Sequence, residues 1–307
     1  MLAAAGHLIA PGIGPLLAAR VAMGIGEAAL FSGVLPWVLS ASEPARNGRV
    51  AGWFGLSMWG GLAAGPLLTV AAHAVGDSAT LWALVIALPV GSTILILSTR
   101  PPVGTKARIR VHGWRELVPA GIGVPGAILG LAAYGYGTLT ALLVLFLGRP
   151  GMGGRQLGLV VFALAFLGTR AAGSPLVDRL GALSVVRVVL IVDVAGFVGL
   201  ALAGSATVAL FAVVGIGIGL GLIYPATSKL TLTRTAQLSA GAAMGAMTSL
   251  WDLGVLVAGP VGGLATAVGG FRVAMSTASR TLLEGRPSRI SYMRRFCRRC
   301  GRRGDTA

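Results

Sequence analysis

Long apolar runs separated by short clusters of charged and turn-forming residues dominate the chain. Stretches of about 20 apolar or small residues, the length that crosses about 30 Å of hydrocarbon, fall near 15–40, 51–74, 79–98, 120–147, 156–175, 183–203, 206–230 and 239–266. A ninth, residues 1–10, is apolar but only half as long. Backbone groups in lipid must be satisfied internally, and glycine-rich runs without two-residue alternation do not suit a barrel. The pattern predicts an all-α, polytopic transmembrane bundle of about eight complete spans plus an N-terminal remnant.

Composition supports that solvent assignment: 55% of the 307 residues are hydrophobic and 11% charged, with a mean hydropathy of +0.84, far from a soluble domain. The 48 glycines, costly in a water-exposed helix, let membrane helices approach closely. Small residues four apart, such as Gly61 and Gly65 or Gly215 and Gly219, are expected packing surfaces. Gly217, Gly219 and Gly221, followed by Pro225, are close enough to allow local bending, as in the broken helices that line transport routes.

Charge then gives orientation. With alternating spans, one set of loops holds Arg46, Arg49, Arg100, Lys106, Arg108, Arg110, Arg115, Arg179 and Arg234, the other only Arg149 and Arg155. The first set is therefore cytoplasmic. The basic stretch 99–119, "TRPPVGTKARIRVHGWRELVP", reads as a cytoplasmic linker between a helical half over 1–98 and another over 120–271. Its charge suits topology and anionic headgroups rather than nucleic acid. Residues 272–307 carry ten arginines against Glu284 and Asp305, half of the chain's net +16. They read as a non-spanning tail, and the scarcity of lysine makes a frameshift product or divergent terminus after Ala274 the expectation. Cys297 and Cys300 form the one C-x-x-C pair, which lacks further ligands for zinc. No metal or cofactor is expected, and three scattered histidines supply no enzyme site.

Ionisable groups within spans are expensive and suggest function. Arg20 and Glu27 are two helical turns apart on one face, about 10 Å along the axis, and can border one polar route. Glu27 equally suits a structural hydrogen bond to a neighbouring helix. Asp252, beside Trp251 near mid-span, is a candidate proton carrier. Asp193 is also mid-span and reads as structural, while Arg170 and Lys229 are placed to snorkel to the cytoplasmic surface. Tyr134, Tyr136, Tyr224 and Trp59 are candidate cavity aromatics.

An internal repeat comes next. "GIGEAALFSG" around Gly24 and Gly26 recurs in outline as "GIGIGLGLIYP" around Gly217 and Gly219, an offset of 193. Gly48 and Gly241 keep that offset, and "GGLAAGPLL" (Gly65, Pro66) matches "GVLVAGPVGG" (Gly259, Pro260) at 194. Two homologous halves follow.

"ARVAMGIGEA", the basic "PARNGR" and "GLAAGP" resemble the fourth and fifth helices of a major facilitator superfamily transporter, closest to its drug or metabolite efflux branch. "GSPLVDRLG", with Asp178, Arg179 and Gly181, resembles the family's signature loop. "GLIYPATSKL" and "MTSLWDLGVLVAGPVGG" resemble its tenth and eleventh helices. The resemblance implies a proton-coupling role for Arg20, a conformational role for the signature loop and helix packing or bending at Gly65, Pro66, Gly259 and Pro260. Ser174 replaces the loop's first glycine, Ala182 and Leu183 its basic residues, and Leu67 and Leu68 a glycine pair of the antiporter signature. Mapped onto twelve helices, the chain lacks the first two and the twelfth and keeps the third as residues 1–10. The resemblance implies a monomeric multi-pass protein of the cell membrane, bacterial inner membrane in type, that moves a small-molecule substrate by proton-coupled export. Its partners are that substrate and the lipid bilayer, without nucleic acid. The competing reading is a transport-inactive, shortened paralogue or pseudogene product serving at most as a membrane scaffold.

Overall fold

The computed structural model describes residues 12–40, 47–76, 78–99, 121–234 and 240–285, and within them the side chains except at 27–33, 35–36, 39–40, 47–56, 58–59, 62–63, 78, 174–175, 178 and 240–242. Among the described residues the chain forms eight helices and no strand. They are α1 (Ile13–Ser40), α2 (Asn47–Val75), α3 (Ser78–Ser98), α4 (Gly123–Leu147), α5 (Leu157–Leu180), α6 (Ala182–Leu202), α7 (Ala206–Arg234) and α8 (Ala240–Glu284). Five apolar segments are long enough to cross a bilayer: Ala79–Ser98, Gly123–Leu147, Ala182–Leu202, Ala206–Arg234 and Ala243–Glu284. Shorter apolar stretches, Ile13–Gly26, Ala64–Val75 and Leu157–Gly173, lie in α1, α2 and α5.

Two compact units divide the chain, Met1–Ile109 and Arg110–Ala307. The linker expected at 99–119 lies outside the described residues apart from Thr99, as does the remnant 1–10. In the first unit, α1, α2 and α3 bury only Ala19 and Ala72 among the described side chains and expose Ile13, Leu17, Val21 and Leu97. Those apolar faces are stable only against lipid or protein. Helices α2 and α3 run on through Pro66 and Pro89, each of which removes one backbone bond. Hydroxyls reinforce the turns that follow, Thr69 donating to the Gly65 carbonyl (2.9 Å) and Thr93 to that of Pro89 (2.8 Å).

The second unit is built around α4, which buries 16 of its 25 residues. Its small residues set the closest approaches. A Cβ on Gly130 would stand 2.8 Å from the Leu250 carbonyl oxygen, and one on Gly254 would strike the Gly130 carbonyl. Farther along, Gly137 faces Ala258, and Gly262 faces Leu142 and Thr138. Positions on α4 and α8 rise together, so α8 first runs parallel to α4.

At Gly270 the backbone takes φ 74° and ψ −179°, open to glycine at little cost, and the chain turns back. Phe271 then packs edge-on against Phe146 with centroids 5.9 Å apart. Leu282 reaches the Gly135 site and Gly285 the Leu131 side chain. The second arm, 271–284, is thus antiparallel to α4 and buries Ala274, Met275, Ala278, Ser279 and Leu282. This corrects the tail boundary expected at residue 272: one face of 271–284 is apolar or small at helical spacing, so it packs as part of the fold. Residues 286–307 lie outside the described residues.

Helix α7 sits between α5 and α6. Gly196 opposes Ile216, Gly199 opposes Ala212 and Asp193 opposes Gly219, an antiparallel register of α6 on α7. Gly217 and Gly221 receive the α5 backbone at Phe162 and Phe166. Gly215 and Gly219, expected as a packing pair, face α6; Gly217 and Gly221, expected to allow bending, face α5, and the helix is continuous.

Candidate functional site

Close packing of α5 on α7 places a cation inside the bundle. A Cβ on Gly217 would lie 3.0 Å from the Phe162 carbonyl oxygen, and one on Gly221 would lie 2.8 Å from that of Phe166 and 3.4 Å from the Arg170 nitrogen. Only glycine admits the α5 backbone so near. Arg170 then lies beside Tyr224, three residues beyond Gly221, with its guanidinium carbon 5.1 Å from the ring centroid. That distance is within the range of a cation–π contact. Arg170 was expected to snorkel; the structure turns it across to α7 instead.

One turn and two turns earlier on the same face of α5 stand Phe166 and Phe162, centroids 5.8 Å apart. Tyr136 of α4 lies 5.9 Å from Phe162 and 5.5 Å from Trp251 of α8. Ring contacts therefore run from Trp251 through Tyr136 and Phe162 to Phe166, and Arg170, one turn farther along α5, stands over Tyr224. Phe162, Phe166 and Trp251 are buried, whereas Tyr136, Arg170 and Tyr224 are half-buried.

Of the sequence-predicted residues, Tyr136 and Tyr224 take part in these contacts. Tyr134 does not: it is buried, and its hydroxyl finds no hydrogen-bond partner among the described residues. Asp252 follows Trp251 on α8 and is exposed. Arg20 is exposed on α1, within the other unit, while the side chains of Glu27 and Trp59 lie outside those described. Asp178 and Arg179 fall in the last turn of α5, and Gly181 (φ 81°) alone separates α5 from α6. The signature segment is therefore a helix end with a one-residue break rather than a loop. Gly259 has open space around it and Pro260 is exposed, so helix packing passes to Gly254, Ala258 and Gly262; Gly65 is also open within its unit. Asp193 is fully buried against Gly219, with neither carboxylate oxygen hydrogen-bonded among the described residues.

Sequence reading missed Arg170, Phe162, Phe166 and Trp251 as a group. The signal was present as Phe162, Phe166 and Arg170 spaced by four, one stripe of a helix.

Residues 1–277 match the model of the Major Facilitator Superfamily. The chain belongs to that family. Among its relatives, an uncharacterized MFS-type transporter of Escherichia coli K12, YhhS, is 29% identical over 257 residues, which cover 83% of this chain and 62% of the relative. An uncharacterized MFS-type transporter of Burkholderia mallei SAVP1 is 30% identical over 300 residues, covering 92% of this chain and 71% of the relative. The chain thus spans less than two thirds of the length of the Escherichia coli relative. Membership of the Major Facilitator Superfamily, with its apolar helices, makes this a multi-pass membrane protein.

Proposed function

We propose that the chain is a secondary active transporter of the bacterial inner membrane, exporting small amphipathic molecules in exchange for protons by alternating access. The observation that carries this reading is the superfamily match over residues 1–277. Its bacterial relatives support the location, and basic residues at the ends of α5 and α7, Arg179 and Arg234, support a cytoplasmic placement of those ends. The half-buried tyrosines and Arg170 offer amphipathic substrates a mixed surface. Arg20 and Asp252, each exposed within its own unit, remain available to a substrate, a proton or another charged group.

Two substitutions test the coupling. In everted vesicles at matched protein levels, Asp252→Asn keeps the side chain's size but removes its titration, and is expected to lower pH-driven flux of fluorescent amphipathic compounds about tenfold, roughly 1.4 kcal/mol. Arg20→Ala removes a fixed charge and is expected to lower it similarly, whereas Asp193→Asn changes the amount of folded protein and leaves flux per molecule intact. Full flux in both Asp252→Asn and Arg20→Ala would remove proton coupling through these residues.

A further inference from the structure

We propose that the Gly148 end of α4 is a binding site for an anionic phospholipid, whose headgroup phosphate is held by Arg149 and Arg155 and whose acyl chains lie along exposed apolar side chains beside them. This goes beyond the transporter reading and needs only that the chain spans a bilayer. Glycines with positive φ at 151, 153 and 154 curl the connection between α4 and α5, and Arg155 folds back against the end of α4. Its Cδ and Nε stand 3.3 and 3.7 Å from where a Cβ on Gly148 would lie. Arg149, the next residue, is fixed in place: its guanidinium carbon is 4.0 Å from the centroid of Phe146 and 5.2 Å from that of Phe271, and its Nε donates to the Phe146 carbonyl (3.0 Å). Both side chains are thus gathered on residues 146–148. Among the described residues neither meets a carboxylate, and that one hydrogen bond is the only one their side chains make. The acids with described side chains in this unit lie elsewhere. Asp252 and Glu284 belong with the other half of α4, where Leu250 meets Gly130 and Gly285 meets Leu131, and Asp193 is buried against Gly219. Two gathered cations without an internal counter-charge suit an anion from outside the chain. On the orientation proposed above they face the outer leaflet, where basic residues are otherwise disfavoured. Exposed apolar side chains then select a lipid over a soluble anion. Leu145, one turn before Arg149, is 56% exposed, and Leu157, two residues after Arg155, is 54% exposed. Leu264 and Val268 of α8, between the Gly262 contact with Leu142 and the turn at Gly270, are more exposed still. Guanidiniums at the end of a span, with apolar side chains alongside, match a phosphate and the chains attached to it.

The test uses the full 307-residue chain carrying Cys297→Ser, Cys300→Ser and a fluorophore on Leu145→Cys, reconstituted in phosphatidylcholine bilayers. Spin-labelled phosphatidylglycerol and phosphatidylcholine with the same acyl chains are titrated as quenchers. Phosphatidylglycerol is expected to reach half-quenching at a mole fraction about tenfold lower, since each arginine near a membrane surface favours an anionic lipid about fivefold before screening by salt. Arg155→Gln and Arg149→Gln should each reduce that preference about threefold, and the double variant should abolish it. Arg149→Lys keeps the charge and should keep most of the preference. Arg187→Gln removes the same charge from an exposed position on α6, near Gly181 and the opposite end of α5, and should leave the preference unchanged. Equal quenching by the two lipids, or a preference lowered as much by Arg187→Gln as by Arg155→Gln, overturns the proposal. Relief of phosphatidylglycerol quenching by millimolar inorganic phosphate at constant ionic strength would also overturn it, assigning the arginines to a soluble anion. If the Arg149 variants do not fold, Arg155→Gln decides, because that side chain is exposed and makes no hydrogen bond among the described residues.

Discussion

Gly254→Val is expected to prevent the second unit from folding to its compact form. The added side chain would enter the space of the Gly130 carbonyl, and the obstacle is backbone, with no flexible side chain to swing aside. Apolar burial gives little drive between helices already in lipid, so their association depends on close packing. Gly254, Ala258 and Gly262 form one small stripe along α8, facing Gly130, Gly137 and Thr138 of α4. Overpacking in a tight core costs about 1–3 kcal/mol, and a backbone collision at the central contact of a stripe belongs at or above the upper end. Detergent-solubilised protein should therefore shift to the void volume in size-exclusion chromatography at temperatures where the parent remains monodisperse. Gly259→Val, at a position with open space in its unit, should stay within about 0.5 kcal/mol of the parent. Equal stability of both variants would mean that α8 does not lie on α4 as described.

Ending the chain after Ser276 is expected to cost substantially more than ending it after Gly285. The shorter chain loses Ala278, Ser279 and Leu282, all buried, and leaves the Gly135 site and Leu131 without the groups that cover them. Removing one buried leucine side chain typically costs about 2–5 kcal/mol, and this deletion also removes two turns of helix. Leu282→Ala isolates the side chain and should account for about 2 kcal/mol of that loss. The two truncated chains are compared by thermal unfolding in the same detergent. Coincident melting would mean that the second arm of α8 adds no stability.

Apolar run length made most of the helical framework legible, because a membrane span needs about 20 residues and little local pattern competes with so long a signal. The expected start at 206 and the end at 98 match α7 and α3. The second arm of α8 was not legible for a physical reason. Its buried face uses alanine and serine as well as Met275 and Leu282, and ten arginines over 272–307 give the segment the composition of a solvated tail. Glycine patterns identified packing surfaces but could not assign them to faces, since small residues four apart recur throughout. Gly254 and Gly259 look equivalent in the sequence, yet one meets backbone and the other meets nothing. For the candidate site, the depth of Arg170 was readable, but its direction was not. Snorkelling and inward stacking differ by rotamer, and the partner that decides between them, Tyr224, lies 54 residues away in the sequence.

Flux in reconstituted vesicles tests the account most directly. The 307-residue chain is incorporated into proteoliposomes with an imposed pH gradient, beside protein-free liposomes of the same lipid, and uptake or release is followed for amphipathic compounds. The account predicts gradient-dependent movement above the protein-free control, collapsing when a protonophore dissipates the gradient. Well-folded protein that moves none of these compounds faster than empty liposomes would contradict it.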